Sequence, residues 1–275
     1  MQGRAGWGRV PMKLFQRING SVRLRKVNAL WREADQRIAE FDATGLAYDR
    51  YRPRYPEPLF DDLMALAGLR PGDRAVEIGA GTGIATLPLA ARGLRVTAVE
   101  PAASMSEILK AKVGVTADVI EGRFEETAIR AAVDLVAAFN SWHWVEPAVG
   151  VARLVEMLRP GGVVTLVWTE VISWGRDPFG ARLAEVTGQP WVGRLAEIVN
   201  SKDAVAGHDR LASMGQRRYR FERTLTAQTF VDVTRTYGGH PGDEQLVQIE
   251  AVIDGEFNGA VTKVEEAVLH AYKRL

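Results

Sequence analysis

The chain has 275 residues, 47% of them hydrophobic and 25% charged, with 35 Lys and Arg against 34 Asp and Glu. That supports one large core and excludes wholesale disorder, while the lack of cysteine excludes a disulfide scaffold, a thiolate nucleophile and Cys-ligated zinc or iron–sulfur centres. No apolar run reaches the roughly 18 residues of a membrane span, and the opening residues lack the apolar stretch of a secretory signal, so a cytoplasmic enzyme or binding protein is expected.

The first segment is basic. From Met1 to Arg37 nine basic residues face two acidic ones, a balance of +7 that leaves −6 for the remainder. Such an arm suits nucleic acid, a membrane surface or an acidic partner subunit. Its apolar residues Val27, Leu30, Trp31, Ala34, Ile38 and Phe41 fall on one helical face, however, which points to packing on the chain's own core or in a homo-oligomer. Residues 1–40 are therefore read as a basic helical extension and 41–275 as the functional domain.

Beyond Phe41, strands and helices alternate. Arg74–Ile78 reads as a strand, followed by a helix from about Ile84 to Arg92. Arg95–Val99 is a second strand, and Ala103–Val113 a second helix. Strands near Thr116–Ile120 and at Asp134–Phe139 come next, then a helix over Pro147–Leu158 and a fifth strand at Val163–Trp168. This alternation predicts an α/β fold with a parallel sheet covered on both faces. Right-handed crossovers bring the carboxyl ends of the strands to one edge, where ligands bind. Residues 171–216 hold glycines, Trp174, Trp191 and a helical stretch from Arg194 to Asn200, and read as a substrate cap. Tyr219–Leu225 and Val261–Tyr272 supply the last two strands, with a helix starting at Thr226.

The most informative stretch is Glu77-Ile78-Gly79-Ala80-Gly81-Thr82-Gly83 at the end of the first strand. Glycines at alternate positions allow a sharp strand-to-helix turn and bring bare backbone to a ligand. Seventeen residues after Gly83, Glu100 ends the second strand, where a carboxylate accepts hydrogen bonds from ribose hydroxyls. A nucleoside cofactor is implied. Ile84 occupies the third-glycine position of the dinucleotide fingerprint, which disfavours a nicotinamide oxidoreductase, and the buried acid Glu77 suits a cationic ligand better than a pyrophosphate.

The glycine loop, Glu100-Pro101, Glu121-Gly122-Arg123-Phe124-Glu125, Ser141-Trp142-His143-Trp144, Leu158-Arg159-Pro160-Gly161-Gly162 and the upstream Tyr51-Arg52-Pro53-Arg54-Tyr55-Pro56 together resemble the class I S-adenosylmethionine-dependent methyltransferases, in their methyltransferase-11-like small-molecule branch. The resemblance implies a Rossmann-like seven-stranded sheet with helices on both faces, and S-adenosyl-L-methionine as cofactor. It also implies cofactor contacts from Tyr48, Arg52, Glu77, Gly79, Ala80, Gly81, Thr82, Gly83, Glu100, Pro101, Met105, Arg123, Phe124, Glu125, Asn140 and Ser141. Arg123 and Phe124 depart from the Asp and Ala common in the family, so adenine is expected to be held by backbone and stacking. Trp142, Trp144, Trp174 and His240 are expected to line an acceptor pocket, with His143 either the general base for a small-molecule acceptor or a hydrogen-bonded structural residue of the pocket wall. Two other readings share this framework: a cyclase or rearrangement enzyme that binds the same cofactor, and an RNA methyltransferase anchored by the basic arm. No nucleic-acid-recognition motif accompanies the arm, and no His, Asp and Glu spacing suggests a metal.

Overall fold

Seven runs form one sheet, all but the arginine-rich β6 carrying β-branched and small apolar residues: β1 (Arg74–Ile78), β2 (Arg95–Glu100), β3 (Ala117–Glu121), β4 (Val133–Phe139), β5 (Leu158–Val171), β6 (Leu211–Thr226) and β7 (Ala260–Arg274). The computed structural model describes residues 38–129, 132–173, 177–188, 204–237 and 240–275. The basic segment before residue 38, Trp174, Trp191 and the stretch Arg194–Asn200 lie outside the described residues.

The strand order is β3-β2-β1-β4-β5-β7-β6. The first five pair in parallel, and β7 runs antiparallel to both of its neighbours. The chain builds outward from β1 to β3, then returns to place β4 on the other side of β1. That reversal opens a ligand crevice at the carboxyl ends of β1 and β4. Because β7 is antiparallel, its first residues lie beside the last of β5, with Glu265 opposite Val171, and Lys263 pairs with Arg223 near the end of β6. Thus Arg223, Lys263 and Glu265 share the sheet edge that carries the glycine loop.

Alternation along the strands divides the core. On one face Leu135 and Ala137 of β4 pack with Leu59, Phe60 and Leu63 of α2 (Glu57–Ala67) and Leu89 of α3 (Thr86–Ala91). On the other, Val136 and Ala138 pack with Val151, Leu154 and Val155 of α5 (Pro147–Met157). Beside β2 and β3 runs α4 (Ala103–Val113), with Leu109 and Val113 buried. A third cluster joins α6 (Pro178–Thr187), α7 (Ala227–Arg235) and α8 (Asp243–Glu256) through Phe179, Phe230, Leu246 and Ile253.

Several expected boundaries shift for local reasons. The helical pattern ending near Phe41 in the sequence continues to residue 51, giving α1 over 38–51. The helix expected from Ile84 starts later, because Gly83 (φ +86°) donates to the Ala80 carbonyl at 3.0 Å and closes a turn first. Strand five begins at Leu158, since the Pro160-Gly161-Gly162 stretch is taken up in the strand with a register shift against β4. Of residues 171–216, Pro178–Thr187 form α6 and 211–216 belong to β6. Among the described residues, no helix is long and apolar enough to cross a membrane.

Candidate active site

At the sheet's reversal point, β1 and β4 approach closely enough that a side chain on Gly79 would collide with its neighbour. A Cβ there would lie 2.5 Å from that of Ser141, and Gly79 itself adopts φ +64°. The Ser141 hydroxyl donates to the Ile78 carbonyl and locks the two strand ends together. The loop then crosses to β2, where Ala80 N–H donates to the Val99 carbonyl at 3.0 Å. Glu100 accepts from Gly81 N–H at 2.7 Å through one oxygen and from Ala102 N–H at 2.8 Å through the other. Each carboxylate oxygen retains a second lone pair for a ribose hydroxyl. Over Gly81 there is room for about one methyl group before Tyr48 and Met105, 3.8 and 3.9 Å from a Cβ built there.

Two buried acids flank this loop. Burial pushes the Glu77 carboxyl up to about 8, only partly opposed by the hydrogen bond from the Thr86 hydroxyl, 2.6 Å away. Burial likewise raises Glu100 to about 7 against its two backbone donors. Acids held short of full ionisation gain from a nearby cation. The ribose-ready Glu100 and this acidity fit S-adenosylmethionine, whose nucleoside and sulfonium match them in turn.

Helix α1 roofs the loop. Its Asp49 accepts from the Thr82 hydroxyl at 2.8 Å and from Lys112 of α4 at 2.7 Å, and Lys112 also donates to the Thr82 carbonyl. Burial would raise Asp49, but Lys112 and Thr82 hold it below its ordinary value. Asp42 accepts from the Ser104 N–H at the start of α4. Just past the helix, Arg52 donates to the Thr236 hydroxyl and carbonyl at 2.8 and 2.7 Å. Its guanidinium lies 4.7 Å from the ring centre of Tyr48 and 3.8 Å from that of Tyr237.

The structure thus brings together Tyr48, Arg52, Glu77, Gly79, Ala80, Gly81, Thr82, Gly83, Glu100 and Met105, with Pro101 leading into α4. Other expected contacts are redirected. Phe124 and Trp142 are 3% and 1% exposed and pack on each other in the core. Glu125 accepts from Glu146 N–H at 2.9 Å and ties its loop to the start of α5. Arg123 is half-buried in that loop, where its carbonyl accepts from Glu126 and Thr127. Asn140 holds a left-handed backbone (φ +53°) at the end of β4. Its amide bridges the Tyr55 hydroxyl and Thr169, while the Ser141 hydroxyl is taken by Ile78, so both residues bind strands to one another. Trp144 packs edge-on to Phe41 of α1. His240 is exposed, its Nδ1 on the Pro241 carbonyl, rather than facing a pocket.

His143 is held through its Nδ1. The indole N–H of Trp168 donates to its Nδ1 at 3.3 Å. An indole nitrogen only donates, so Nδ1 is bare and Nε2 carries the ring proton. Burial also lowers the imidazole to about 4, leaving it neutral and weakly basic near pH 7.

The sequence reading passed over Asp49, Lys112, Tyr237 and the buried group Arg223–Glu265–Lys263. A signal for the last was present. Along β7, Val261, Lys263, Glu265 and Ala267 share the inward parity, so two charged residues stand where apolar ones belong.

Comparison with known proteins agrees with this geometry. A Methyltransferase domain family (methyltransferase 11) matches residues 76–166. An uncharacterized methyltransferase of Mycobacterium tuberculosis is 33% identical over 197 residues, covering 70% of this chain and 74% of its own. A ribosomal RNA small subunit methyltransferase A of Anaeromyxobacter dehalogenans is 38% identical over 85 residues, 30% of each chain. Among solved structures, the YcgJ protein of Bacillus subtilis superposes with a TM-score of 0.50 at 16% identity, over 78% of this chain and 97% of its own. The [4+2]-cyclase SpnF does so with a TM-score of 0.50 at 15% identity, over 80% and 84%. The solved structures speak for the fold alone. A third of the residues shared along three quarters of a methyltransferase, on this sheet order and around this glycine loop, places the chain among the class I S-adenosylmethionine-dependent methyltransferases.

Proposed function

We propose that the protein methylates a small-molecule acceptor. The observation that carries this reading is the roof. Arg52 joins the end of α1 to the end of α7 by two hydrogen bonds, and Phe41 and Trp144 close the neighbouring side. Such a site favours a compact acceptor held between aromatic walls over an extended polymer lying across an open groove. The −6 balance beyond residue 37 also opposes a polyphosphate backbone. The match to the ribosomal RNA methyltransferase extends over under a third of each chain, so it bears on a shared portion and not on the acceptor.

The cofactor supplies an electrophilic methyl group; the protein's work is placement and exclusion of water. Glu100 and the backbone at Gly81 hold the nucleoside end, Met105 and Tyr48 bracket the loop, and Glu77 with Thr86 fixes the loop's shape. Incubation with cofactor carrying a tritiated methyl group, first with a panel of small phenols, amines and carboxylic acids and then with ribosomal RNA, tests the reading. Label in the small-molecule fraction is expected. Label in RNA alone overturns it.

A further inference from the structure

We propose that Tyr237 is the proton acceptor for the acceptor's nucleophile, its oxygen held ready for negative charge by Lys263 and Arg52. The inference rests on the small-molecule reading.

Tyr237 follows α7 and is half-buried at the cofactor edge of the sheet. Its hydroxyl oxygen accepts from the Lys263 ammonium at 3.0 Å, and Lys263 is wholly buried. The Arg52 guanidinium lies 3.8 Å from the ring centre and 4.7 Å from that of Tyr48. Tyr48 in turn lies 3.8 Å from a Cβ placed on Gly81. A run of contacts therefore leads from the glycine loop to the Tyr237 oxygen.

Glu265, also buried, pairs with Lys263 at 3.0 Å and with Arg223 at 2.6 Å. Arg223 further donates to the Tyr51 carbonyl. The Lys263 ammonium on the phenol oxygen and the Arg52 guanidinium over its ring both favour a phenolate at Tyr237. Burial alone would raise the Tyr237 phenol, but Lys263 and Arg52 outweigh it and bring the phenol below its ordinary value. A lysine and an arginine beside one tyrosine stabilise its ionised form.

The step balances. The acceptor's oxygen or nitrogen forms its bond to the methyl carbon as the carbon–sulfur bond breaks, its electron pair staying on sulfur. The O–H or N–H proton passes to the Tyr237 oxygen. The phenolate's negative charge and the sulfonium's positive charge disappear together, and the phenol returns its proton to water once product leaves.

Tyr237→Phe keeps the ring on Arg52 and removes only the oxygen. In cofactor-free protein, tyrosinate absorbance followed from pH 7 to 12 should show one of the six tyrosines ionising ahead of the rest. That early component should vanish in Tyr237→Phe and move to higher pH in Lys263→Met. An early component that persists in Tyr237→Phe overturns the proposal. In parallel, tritiated-methyl transfer into a total small-molecule extract of bacterial cells is measured from pH 6 to 10. Tyr237→Phe should transfer about a hundredfold more slowly and lose the wild-type rise with pH, while its affinity for S-adenosylhomocysteine stays within about threefold. Equal transfer by variant and wild type refutes the role. No transfer by the wild type defeats the small-molecule reading instead, and the optical titration still decides whether Tyr237 ionises early.

Discussion

The two halves of the site are built in opposite ways. On the cofactor side, Gly79, Gly81 and Gly83 work through backbone, in turns and left-handed conformations, and the N–H groups of Gly81 and Ala102 are aimed at Glu100. On the acceptor side, Arg52, Tyr237, Lys263, Glu265 and Arg223 work through long side chains that meet from four separate elements. One half is a rigid cradle whose shape depends on what is missing, namely a Cβ. The other is a charge cluster whose shape depends on every member being present. Such clusters tolerate drift in one partner poorly, because each buried charge left alone costs several kcal/mol.

The largest expected effect tests the cradle. Gly79→Ala places a Cβ 2.5 Å from that of Ser141 and asks Ala to hold φ +64°, a conformation that costs an L-residue about 1–2 kcal/mol before any clash. Calorimetric titration with S-adenosylhomocysteine should show affinity reduced by about a hundredfold or more. Adding Ser141→Gly should restore part of it by removing the colliding atom. Wild-type affinity in Gly79→Ala would mean that the close approach of β1 and β4 plays no part in binding.

That contrast also governs how much could be read from the sequence. The strands, their parallel order and the cofactor loop were legible because their signals are local: a strand's apolar run, a glycine spacing, and an acid seventeen residues beyond Gly83. The packing of Phe124 and Trp142 was not legible, because a motif gives a position along the chain but not the face on which a ring packs, and both rings turn into the core. The choice between the two roles of His143 was not legible because its tautomer depends on Trp168, 25 residues away on the next strand. Arg52 to Thr236 spans 184 residues, a separation across which no local pattern carries information. Only the parity of Lys263 and Glu265 on β7 betrayed the second half.

A smaller loss is expected at Glu100. Glu100→Gln preserves the shape and removes the charge from its hydrogen bonds, each worth about 1.5–3 kcal/mol when charge-assisted. Affinity for S-adenosylhomocysteine should fall about tenfold to a hundredfold by calorimetry. An unchanged affinity in a folded variant removes Glu100 from the ribose site.

Smaller again is a pH effect that sharpens the role of Glu77. With Glu77 at about 8 and Glu100 at about 7, both acids are mostly neutral at pH 6 and mostly ionised at pH 9. Only the ionised forms attract a sulfonium, so the preference for S-adenosylmethionine over the uncharged S-adenosylhomocysteine should grow with pH across that range, by up to about tenfold. Glu77→Gln should flatten the upper part of the curve. The same acids destabilise the fold as pH rises. They keep protons that the unfolded chain releases above its ordinary carboxyl value, so stability falls from about pH 4.5 to 8 and levels beyond. A flat affinity ratio in the wild type would show that the sulfonium lies out of reach of both acids.

The smallest effect is expected at His143, and it separates the two halves most finely. If His143 only accepts the Trp168 hydrogen bond, His143→Gln, whose carbonyl can accept in its place, should leave kcat within about threefold and the pH–rate profile unaltered in shape. His143→Ala should instead lose about 1–3 kcal/mol of stability, because it strands the indole N–H of Trp168, a residue 2% exposed. The pH dependence of unfolding adds a second readout. The folded imidazole, lowered to about 4, stays neutral while the unfolded one takes up a proton below about 6.5. Wild-type protein therefore loses stability from His143 as pH falls from about 6.5 to 4, and His143→Gln is spared that loss. The gap in Tm between them should shift in favour of the variant over that window. A His143→Gln protein with wild-type stability at every pH but a hundredfold lower kcat would return the imidazole to the chemistry and remove the need for Tyr237.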